Sequence, residues 1–320
     1  MKSQNEWDQL KKVVVGVADY ARTPEIDLSV RTINYADRDD VSDVLPGQYP
    51  QQVIDEANED LEVFVSFLLK EGIEVVRPKR IPTDYYNFCP RDVIFTHKDL
   101  TVATPMPLEC RKESWKAIID RLDTTIIVPC KYQKDLYNEK CIGDKDTLAL
   151  TEATPAFDAA NIIRANDDIL YLVGNSGNIV GGNLLQEMLR DRAKVHFLQN
   201  VYSYIHIDST IAFLREGLLL ANPSRVKNKD MLPGPFKNWD IIWCPDPVDI
   251  GYYGNYNNSS PWINVNLFSI NPNLVVLEEH QEPTRKELEK YGIECAMLPM
   301  RHARTLGGCF HCVTLDLERE

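Results

Sequence analysis

The sequence lacks long apolar runs, basic stripes and low-complexity tracts, and each absence excludes a class of protein. Its longest apolar runs, such as LREGLLLANP and IIWCP, are far too short to cross a bilayer. Acidic residues number 48 against 35 basic ones, and the net charge of −13 disfavours binding to nucleic-acid phosphates. The composition therefore predicts a protein that binds neither membranes nor nucleic acid.

Targeting signals and cysteine are also scarce. The N-terminal stretch MKSQNEWDQLKK is polar and resembles neither a signal peptide nor an arginine-rich transit peptide. The eight cysteines are scattered, and without an export signal we expect most of them to be reduced, buried side chains. These features predict a cytoplasmic location. With 44% apolar residues, the 320-residue chain can bury a large core, and we expect one domain over 1–320.

Four segments pair two β-rich runs across a short polar turn, which predicts β-hairpins. They are DVIF-THKD-LTVATP, NIIRA-NDD-ILYLVG, STIAF-LREG-LLLANP and NLFSI-NPN-LVVLEE. Three other segments indicate a helix, a stop and a strand: EDLEVFVSFLLKEGIEVVRP with Gly72 at the helix end, GNLLQEMLRDRAKVHFLQ and EPTRKELEKYGIECAMLP. A recurring strand–strand–helix–strand unit favours a closed, quasi-symmetric arrangement. An ordinary mixed α/β sheet with hairpins is the alternative.

Candidate acid–base residues lie in three apolar segments. His206 and Asp208 form an H-x-D pattern in the strand-like run YIHIDSTIAF, and residues two apart on a strand point to the same face. A buried, mutually satisfied pair is the alternative reading. Asp158 in ATPAFDAANIIRA is either a helix cap or a functional carboxylate. Asp92 in CPRDVIF is either a surface turn residue or a functional acid beside Arg91.

The stretch GGCFHC permits two readings. Cys309 and Cys312 form a C-x-x-C pair, which is typical of a redox dithiol or half a zinc site, whereas Cys312 alone, beside His311, would be a nucleophile. A redox pair usually opens a helix, but the strand-like VTLDLE follows here, and no second ligand pair has suitable spacing for zinc. We interpret Cys312 as a cysteine nucleophile and Cys309 as an incidental neighbour. The remaining carboxylates suit a guanidinium, whose donors fit carboxylates bidentately.

Six motifs occur in the order seen in the amidinotransferase family, from about residue 5 to about residue 316. They are NEWDQLKKVVVG, CPRDVIF, FDAANIIRA, HIDSTIAF, LLLANPSR and RHARTLGGCFHCVTLD. The sequence resembles glycine amidinotransferases and related enzymes of bacterial natural-product pathways. The resemblance implies an α/β fold, the five-bladed pseudo-symmetric β/α propeller of ββαβ modules of the guanidino-group-modifying (pentein) superfamily.

The resemblance also implies the reaction and its catalytic residues. Cys312 matches the nucleophile, His206 the acid/base and Asp158 its orienting partner, while Asp92 and Asp208 match positions that hold the guanidinium. The implied reaction moves the amidino group of L-arginine, through a covalent thiol intermediate, to an acceptor amine and releases L-ornithine. It requires no metal or organic cofactor. The alternatives are an arginine deiminase-like guanidino hydrolase on the same fold, a non-catalytic protein, or a thiol-redox protein.

Substrate selection is less specified by the resemblance. Arg225 in ANPSR matches a residue that binds the substrate carboxylate, and Ser260 in NNSSPW matches a contact to the amino-acid end. Two positions depart from the animal enzymes, which have Asp at Asn161 and Gly at Cys309. The family implies small-molecule substrates and a homodimer, but the acceptor amine is not identified.

Acceptor selection is expected to fall to segments with little motif content: 20–50, 226–260 and the SYI preceding His206. Four tyrosines in these segments either line a pocket or pack the loops: Tyr204, Tyr252, Tyr253 and Tyr256. Loop packing is the favoured reading for them.

Overall fold

The computed structural model describes residues 2–83, 85–122, 124–129, 135–203 and 205–320. The described residues form these strands: β1 (Leu10–Val15), β2 (Arg22–Thr23), β3 (Gly47–Gln48), β4 (Glu74–Val76), β5 (Ile94–His97), β6 (Leu100–Ala103), β7 (Ile162–Ala165), β8 (Asp168–Leu172), β9 (Lys194–Leu198), β10 (Ile211–Arg215), β11 (Leu218–Ala221), β12 (Asp240–Trp243), β13 (Phe268–Asn271), β14 (Leu274–Glu278), β15 (Glu294–Leu298) and β16 (Thr314–Arg319). They form these helices: α1 (Leu28–Ile33), α2 (Gln51–Lys70), α3 (Lys116–Ile119), α4 (Ile179–Leu189), α5 (Glu282–Glu289) and α6 (Ala303–Leu306). None of these helices is long and apolar enough to span a membrane.

Five small sheets repeat one strand pattern. In each, two strands pair antiparallel and the second also pairs parallel with a third: β16–β1–β4, β5–β6, β7–β8–β9, β10–β11–β12 and β13–β14–β15. In the second sheet the third strand is a single parallel bridge between Val102 and Ile127. Pairing of β16 with β1 joins the two ends of the chain and closes the ring. The five-bladed propeller of ββαβ modules is confirmed, as are the four predicted hairpins.

A helix joins the second strand to the third in four of these blades. Helix α2 shows how such a helix packs on the core. Its buried residues recur every three or four positions, including Leu61, Phe64 and Leu68, so one apolar face lies on the core. The Phe64 ring packs edge-on against Phe310 at 5.0 Å between centroids, which attaches the helix to the turn that precedes β16. The chain reverses at Gly72, whose φ of +75° suits glycine and confirms the predicted helix stop.

One polar or thiol side chain stands at the entrance of each blade's first strand. These residues are Asp92 before β5, Asn161 before β7, Asp208 before β10, Asn266 before β13 and Cys312 before β16. Each lies within three residues of its strand, and all five side chains are buried. The ring closure therefore brings equivalent turns of different blades to one end of the propeller.

The H-x-D segment differs from its predicted conformation. Ile207–Ser209 is a turn of 3-10 helix, and strand β10 begins only at Ile211. Thr210 N–H donates to the Ile207 carbonyl at 2.8 Å, which closes this turn. His206 and Asp208 consequently do not share a face of a strand, and each meets a different partner.

A buried ion-pair network lies beneath the strand entrances. The Asp316 carboxylate in β16 accepts from Arg91 at 2.8 Å, from Arg164 at 2.5 Å and from Arg319 at 2.7 Å. Arg164 also pairs with Glu6 at 2.7 Å. Burial opposes ionisation of Asp316, but these arginines hold its pKa well below the ordinary range. The network links the turn before β5 and strand β7 to the end of the chain.

Candidate active site

The strand entrances surround a pocket with about 820 Å³ of empty space, part of it open to solvent. The lining residues that the sequence analysis had singled out are Asp92, His206, Asp208, Ser260, Cys309 and Cys312. Asp158 and Arg225 lie behind this lining and contact it through His206 and Ser260. The structure thus brings all seven predicted site residues to one pocket or its immediate support.

His206 lies between two carboxylates. Its Nε2 is 2.7 Å from Asp158 Oδ2, and its Nδ1 is 3.8 Å from Asp92 Oδ1. Burial lowers the pKa of His206, but Asp92, Asp158 and Asp208 together outweigh it and raise the pKa to about 9. Burial raises the pKa of Asp158. The imidazole is therefore protonated at neutral pH and can give a proton to a group in the pocket.

Asp158 does not act as a helix cap. It occupies the N-cap position immediately before the 3-10 turn 159–161, but its side chain makes no capping hydrogen bond. Its carboxylate instead faces His206, the contact that the resemblance implied. The alternative of a surface turn residue is likewise wrong for Asp92, which is only 3% exposed.

The Cys312 thiol is held by side chains from two other blades. It donates to Asp208 Oδ2 at 3.1 Å and accepts from Asn266 Nδ2 at 3.1 Å. Asn266 Oδ1 also accepts from the Cys312 backbone N–H at 3.2 Å. A hydrogen bond with the Cys89 thiol, together with burial and Asp208, raises the pKa of Cys312 well above its ordinary value. The Cys312 side chain is therefore an uncharged thiol in this pocket.

The turn before Cys312 requires glycine. A Cβ on Gly308 would lie 2.2 Å from Cys312 Cβ and 2.5 Å from its Sγ, closer than real atoms approach.

The seven cysteines within the described ranges are all free thiols, Cys309 and Cys312 included. Strand β16 follows Cys312, whereas a redox C-x-x-C pair usually opens a helix. The local fold favours the reading of Cys312 as a single nucleophile.

Asp92 presents one oxygen to the pocket. Its Oδ2 forms an ion pair with Arg111, which also donates to the Cys89 carbonyl at 2.9 Å and the Tyr86 carbonyl at 3.2 Å. Its buried Oδ1 has no hydrogen-bond partner among the described residues and faces His206. A buried acceptor without a donor is costly, so this oxygen suits a ligand N–H.

Arg225 is a partly buried cation held by hydroxyl groups. Its guanidinium donates to Ser209 Oγ at 2.7 Å, Thr210 Oγ1 at 2.8 Å and Ser260 Oγ at 3.0 Å. Within the described part of the chain it forms no ion pair with a carboxylate, and burial lowers its pKa to about 10. Ser209 and Ser260 line the pocket in front of it. An anionic group of a ligand would complete this arrangement.

The tyrosines that the sequence offered as possible pocket residues lie elsewhere in the structure where they are described. Tyr252 and Tyr253 are exposed outside the pocket, and Tyr256 packs on Tyr49 at 4.8 Å between ring centroids. Tyr204 lies outside the described residues. The three that are described therefore do not line the pocket, and loop packing is observed for Tyr256.

The predicted specificity segments do line the pocket. The pocket lining includes Asn34 and Tyr35 from segment 20–50 and residues 258–260 from segment 226–260. From the SYI stretch, Ile205 lines the pocket. Sequence reasoning missed Asn266, Arg111 and Cys89. Asn266 could have been found, because it stands in VNLF just before β13 as Asp92 stands in RDVI just before β5. In both stretches one polar residue precedes the apolar residues of the strand.

Curated relatives match along almost the whole chain, although no protein-family model matches it. The chain is 38% identical to inosamine-phosphate amidinotransferase 1 of Streptomyces glaucescens, over 98% of this chain and 95% of that protein. It is 30% identical to L-arginine:L-lysine amidinotransferase of Pseudomonas savastanoi pv. phaseolicola, over 99% of this chain and 94% of that one.

Solved structures agree in fold. The inosamine-phosphate amidinotransferase of Streptomyces griseus superimposes with a TM-score of 0.93 at 36% identity, covering 99% of this chain and 96% of that one. An amidinotransferase of the saxitoxin pathway from Microseira wollei superimposes with a TM-score of 0.87 at 27% identity, covering 99% of this chain and 97% of that one. A dimethylarginine hydrolase structure from Pseudomonas aeruginosa, with a TM-score of 0.64 at 13% identity, shares the fold alone. The chain belongs to the amidinotransferase family.

Proposed function

We propose that this amidinotransferase takes the amidino group from L-arginine, carries it on Cys312 and passes it to an acceptor amine, releasing L-ornithine. One observation carries the proposal: a thiol, a protonated imidazole and two carboxylates meet in the same pocket. The printed name of the relative L-arginine:L-lysine amidinotransferase supports arginine as donor. The names of the inosamine-phosphate relatives support a larger amine as acceptor.

Arginine binding would charge the nucleophile. The guanidinium N–H groups would donate to Asp92 Oδ1, which lacks a partner, and to Asp208, which otherwise accepts from Cys312. A cation beside the sulfur favours thiolate, so the thiol proton leaves to solvent as the substrate settles. Two carboxylates from different blades also fix the guanidinium plane, so that its carbon faces Sγ.

His206 would act as the general acid of the first half-reaction. The Cys312 thiolate attacks the guanidinium carbon and a C–S bond forms. As the C–N bond to the departing amine breaks, the imidazolium of His206 gives its proton to that nitrogen, and ornithine leaves as a neutral amine group. An amidino-thioether on Cys312 and a neutral His206 remain, and Asp158 keeps the imidazole oriented.

The second half-reaction would reverse these steps with another amine. The acceptor nitrogen attacks the amidino carbon while neutral His206 takes its proton, and the thiolate leaves. Asn34, Tyr35 and 258–260 lie at the pocket wall where the acceptor would enter. Arg225, behind Ser260, would supply the positive charge that the α-carboxylate of arginine or ornithine needs.

The arginine-only reaction tests this proposal. With L-arginine and no other amine, ornithine should appear in a burst close to one per active site, measured at early times before leakage or back-transfer. The protein should gain the mass of an amidino group on the peptide containing Cys312, and Cys312→Ala should gain none. Candidate amines added afterwards should discharge the adduct. Continuous citrulline formation from arginine alone would show that water is the acceptor and would overturn the proposal.

A further inference from the structure

His311 is adjacent to the nucleophile in sequence but lies on the other side of Asp208. It is absent from the lining of the substrate pocket. It lines instead a smaller inner cavity together with Asp208 and Glu6. The His311 side chain therefore contacts the substrate pocket only indirectly, by way of Asp208, which lines both cavities.

One oxygen of Asp208 receives two donors from the same turn. His311 Nδ1 lies 3.0 Å from Asp208 Oδ2, and Cys312 Sγ lies 3.1 Å from that same atom. Asp208 belongs to the turn before β10, whereas both donors belong to the turn before β16. The two contacts hold a carboxylate of one blade against the nucleophile of another.

The backbone of His311 is fixed independently of Asp208. Its N–H donates to the Asn266 carbonyl at 3.3 Å, and its carbonyl accepts from Arg91 Nε at 3.3 Å. Arg91 is itself anchored to Asp316 in the buried ion-pair network. On the far side of the ring, His311 Nε2 lies 4.0 Å from Glu6 Oε2. The imidazole therefore occupies a defined position between two acids.

Only one of the two donors would persist during the reaction. When the thiol loses its proton, Cys312 can no longer donate to Asp208, and the negative sulfur would repel the carboxylate. The His311 contact is then the one that keeps Asp208 oriented. Burial opposes the ionisation of Asp208, but the hydrogen bond and charge of His311 contribute to lowering its pKa to about 2.

We propose that His311 is a positioning residue that keeps the Asp208 carboxylate oriented toward the bound guanidinium once the thiol proton has left. The proposal rests on the proposed function, in which Asp208 binds the guanidinium. It predicts that loss of the His311 donor weakens every ligand that carries a guanidinium, whatever its other groups. A substitution at Arg225, by contrast, should weaken only ligands that carry a carboxylate.

Binding measured without turnover tests this role. In a Cys312→Ala background, calorimetric titration should show that His311→Leu weakens L-arginine and agmatine by the same factor, about ten- to a hundredfold. His311→Asn, whose amide lies near the position of Nδ1, should restore most of the affinity. Arg225→Ala serves as the matched control and should weaken arginine far more than agmatine. Thermal melting checks each variant, and His311→Ala is a second removal variant if Leu does not fold.

Two results would overturn the positioning role. Unchanged arginine and agmatine affinities in the removal variant would show that Asp208 needs no support from His311. Equal losses in His311→Asn and His311→Leu would show that the donor is not what matters. Failure of the proposed function looks different. A parent Cys312→Ala protein that binds no arginine would exclude arginine as donor, and continuous citrulline formation by the unsubstituted protein would exclude transfer, whatever the His311 variants do.

Discussion

The Cys312 thiol donates to Asp208 Oδ2 at 3.1 Å, and this contact couples the nucleophile to the residue proposed to bind the substrate cation. A carboxylate beside a thiol disfavours the thiolate, so the pocket without a ligand keeps its sulfur uncharged. In the proposed mechanism, a guanidinium placed between the same carboxylate and Asp92 would favour the thiolate instead. Reactivity of the sulfur would thus depend on the presence of the donor substrate.

The first prediction separates the two cysteines of GGCFHC. Cys312→Ala should abolish turnover, because it removes the sulfur proposed to carry the amidino group. Cys309→Gly should keep most of it, because the contact of Cys309 with Asn266 Oδ1, at 3.1 Å, comes from its backbone N–H, which glycine retains. Deleting its buried thiol should lower the free energy of unfolding by about 1–2 kcal/mol.

Steady-state turnover and thermal melting measure the two effects on Cys309→Gly separately. Equal losses of activity in both variants, or a loss that reductant rescues, would favour the C-x-x-C redox interpretation over a single nucleophile.

The second prediction concerns the thiol of Cys89, which hydrogen-bonds Cys312 and contributes to raising its pKa. Cys89→Ala should therefore lower the pKa of the Cys312 thiol. The pH dependence of iodoacetamide alkylation at the Cys312 peptide, followed by mass spectrometry, should move to lower pH. An unchanged profile would mean that Cys89 does not influence the nucleophile.

The third prediction concerns recognition of the donor carboxylate. Arg225 makes its hydrogen bonds to hydroxyl and carbonyl groups, including Ser209 and Ser260, which line the pocket. Arg225→Ala should raise KM for L-arginine about ten- to a hundredfold and change KM for agmatine, which lacks a carboxylate, far less. Competing the two donors in one assay removes errors in enzyme concentration. Parallel changes for both donors would exclude Arg225 from this role.

Much of the fold was accessible from sequence because blade units carry local signals. The hairpin turn of β10–β11 contains Gly217 with φ of +78°, and α2 has a continuous apolar face that ends at Gly72. These features depend on neighbouring residues and therefore appear in local patterns. The recurring unit favoured a closed arrangement, but the pairing of β1 with β16 that closes the ring joins residues about 300 positions apart and leaves no local pattern.

The residue pattern identified the members of the site but not their contacts. The pattern alone paired His206 with Asp208, whereas the structure pairs it with Asp158, 48 positions away, as only the resemblance had implied. The 3-10 turn at 207–209 causes this difference, and strand-like apolar residues conceal that turn in the sequence. Arg111 gave no signal, because its role comes from the buried oxygen of Asp92 that it neutralises.

The last prediction concerns the pH dependence of the first half-reaction. Burial lowers the pKa of His206, but Asp92, Asp158 and Asp208 raise it to about 9, above the ordinary 6.5. His206 is therefore protonated below about pH 9 and loses its proton as pH rises through that value. In the proposed mechanism the ornithine burst needs this proton, so its rate at saturating arginine should fall above about pH 9.

Replacing Asp158 tests the source of that proton. Asp158→Asn keeps the shape but removes the negative charge 2.7 Å from His206 Nε2, so the pKa of His206 should fall. The descending limb of the burst rate, followed by rapid quench, should then move about one pH unit or more toward acid. Cys89→Ala is the matched control, because it should move the ascending limb, which reports thiol ionisation, and leave the descending limb in place. A descending limb that stays near pH 9 in Asp158→Asn would show that another group protonates the departing amine.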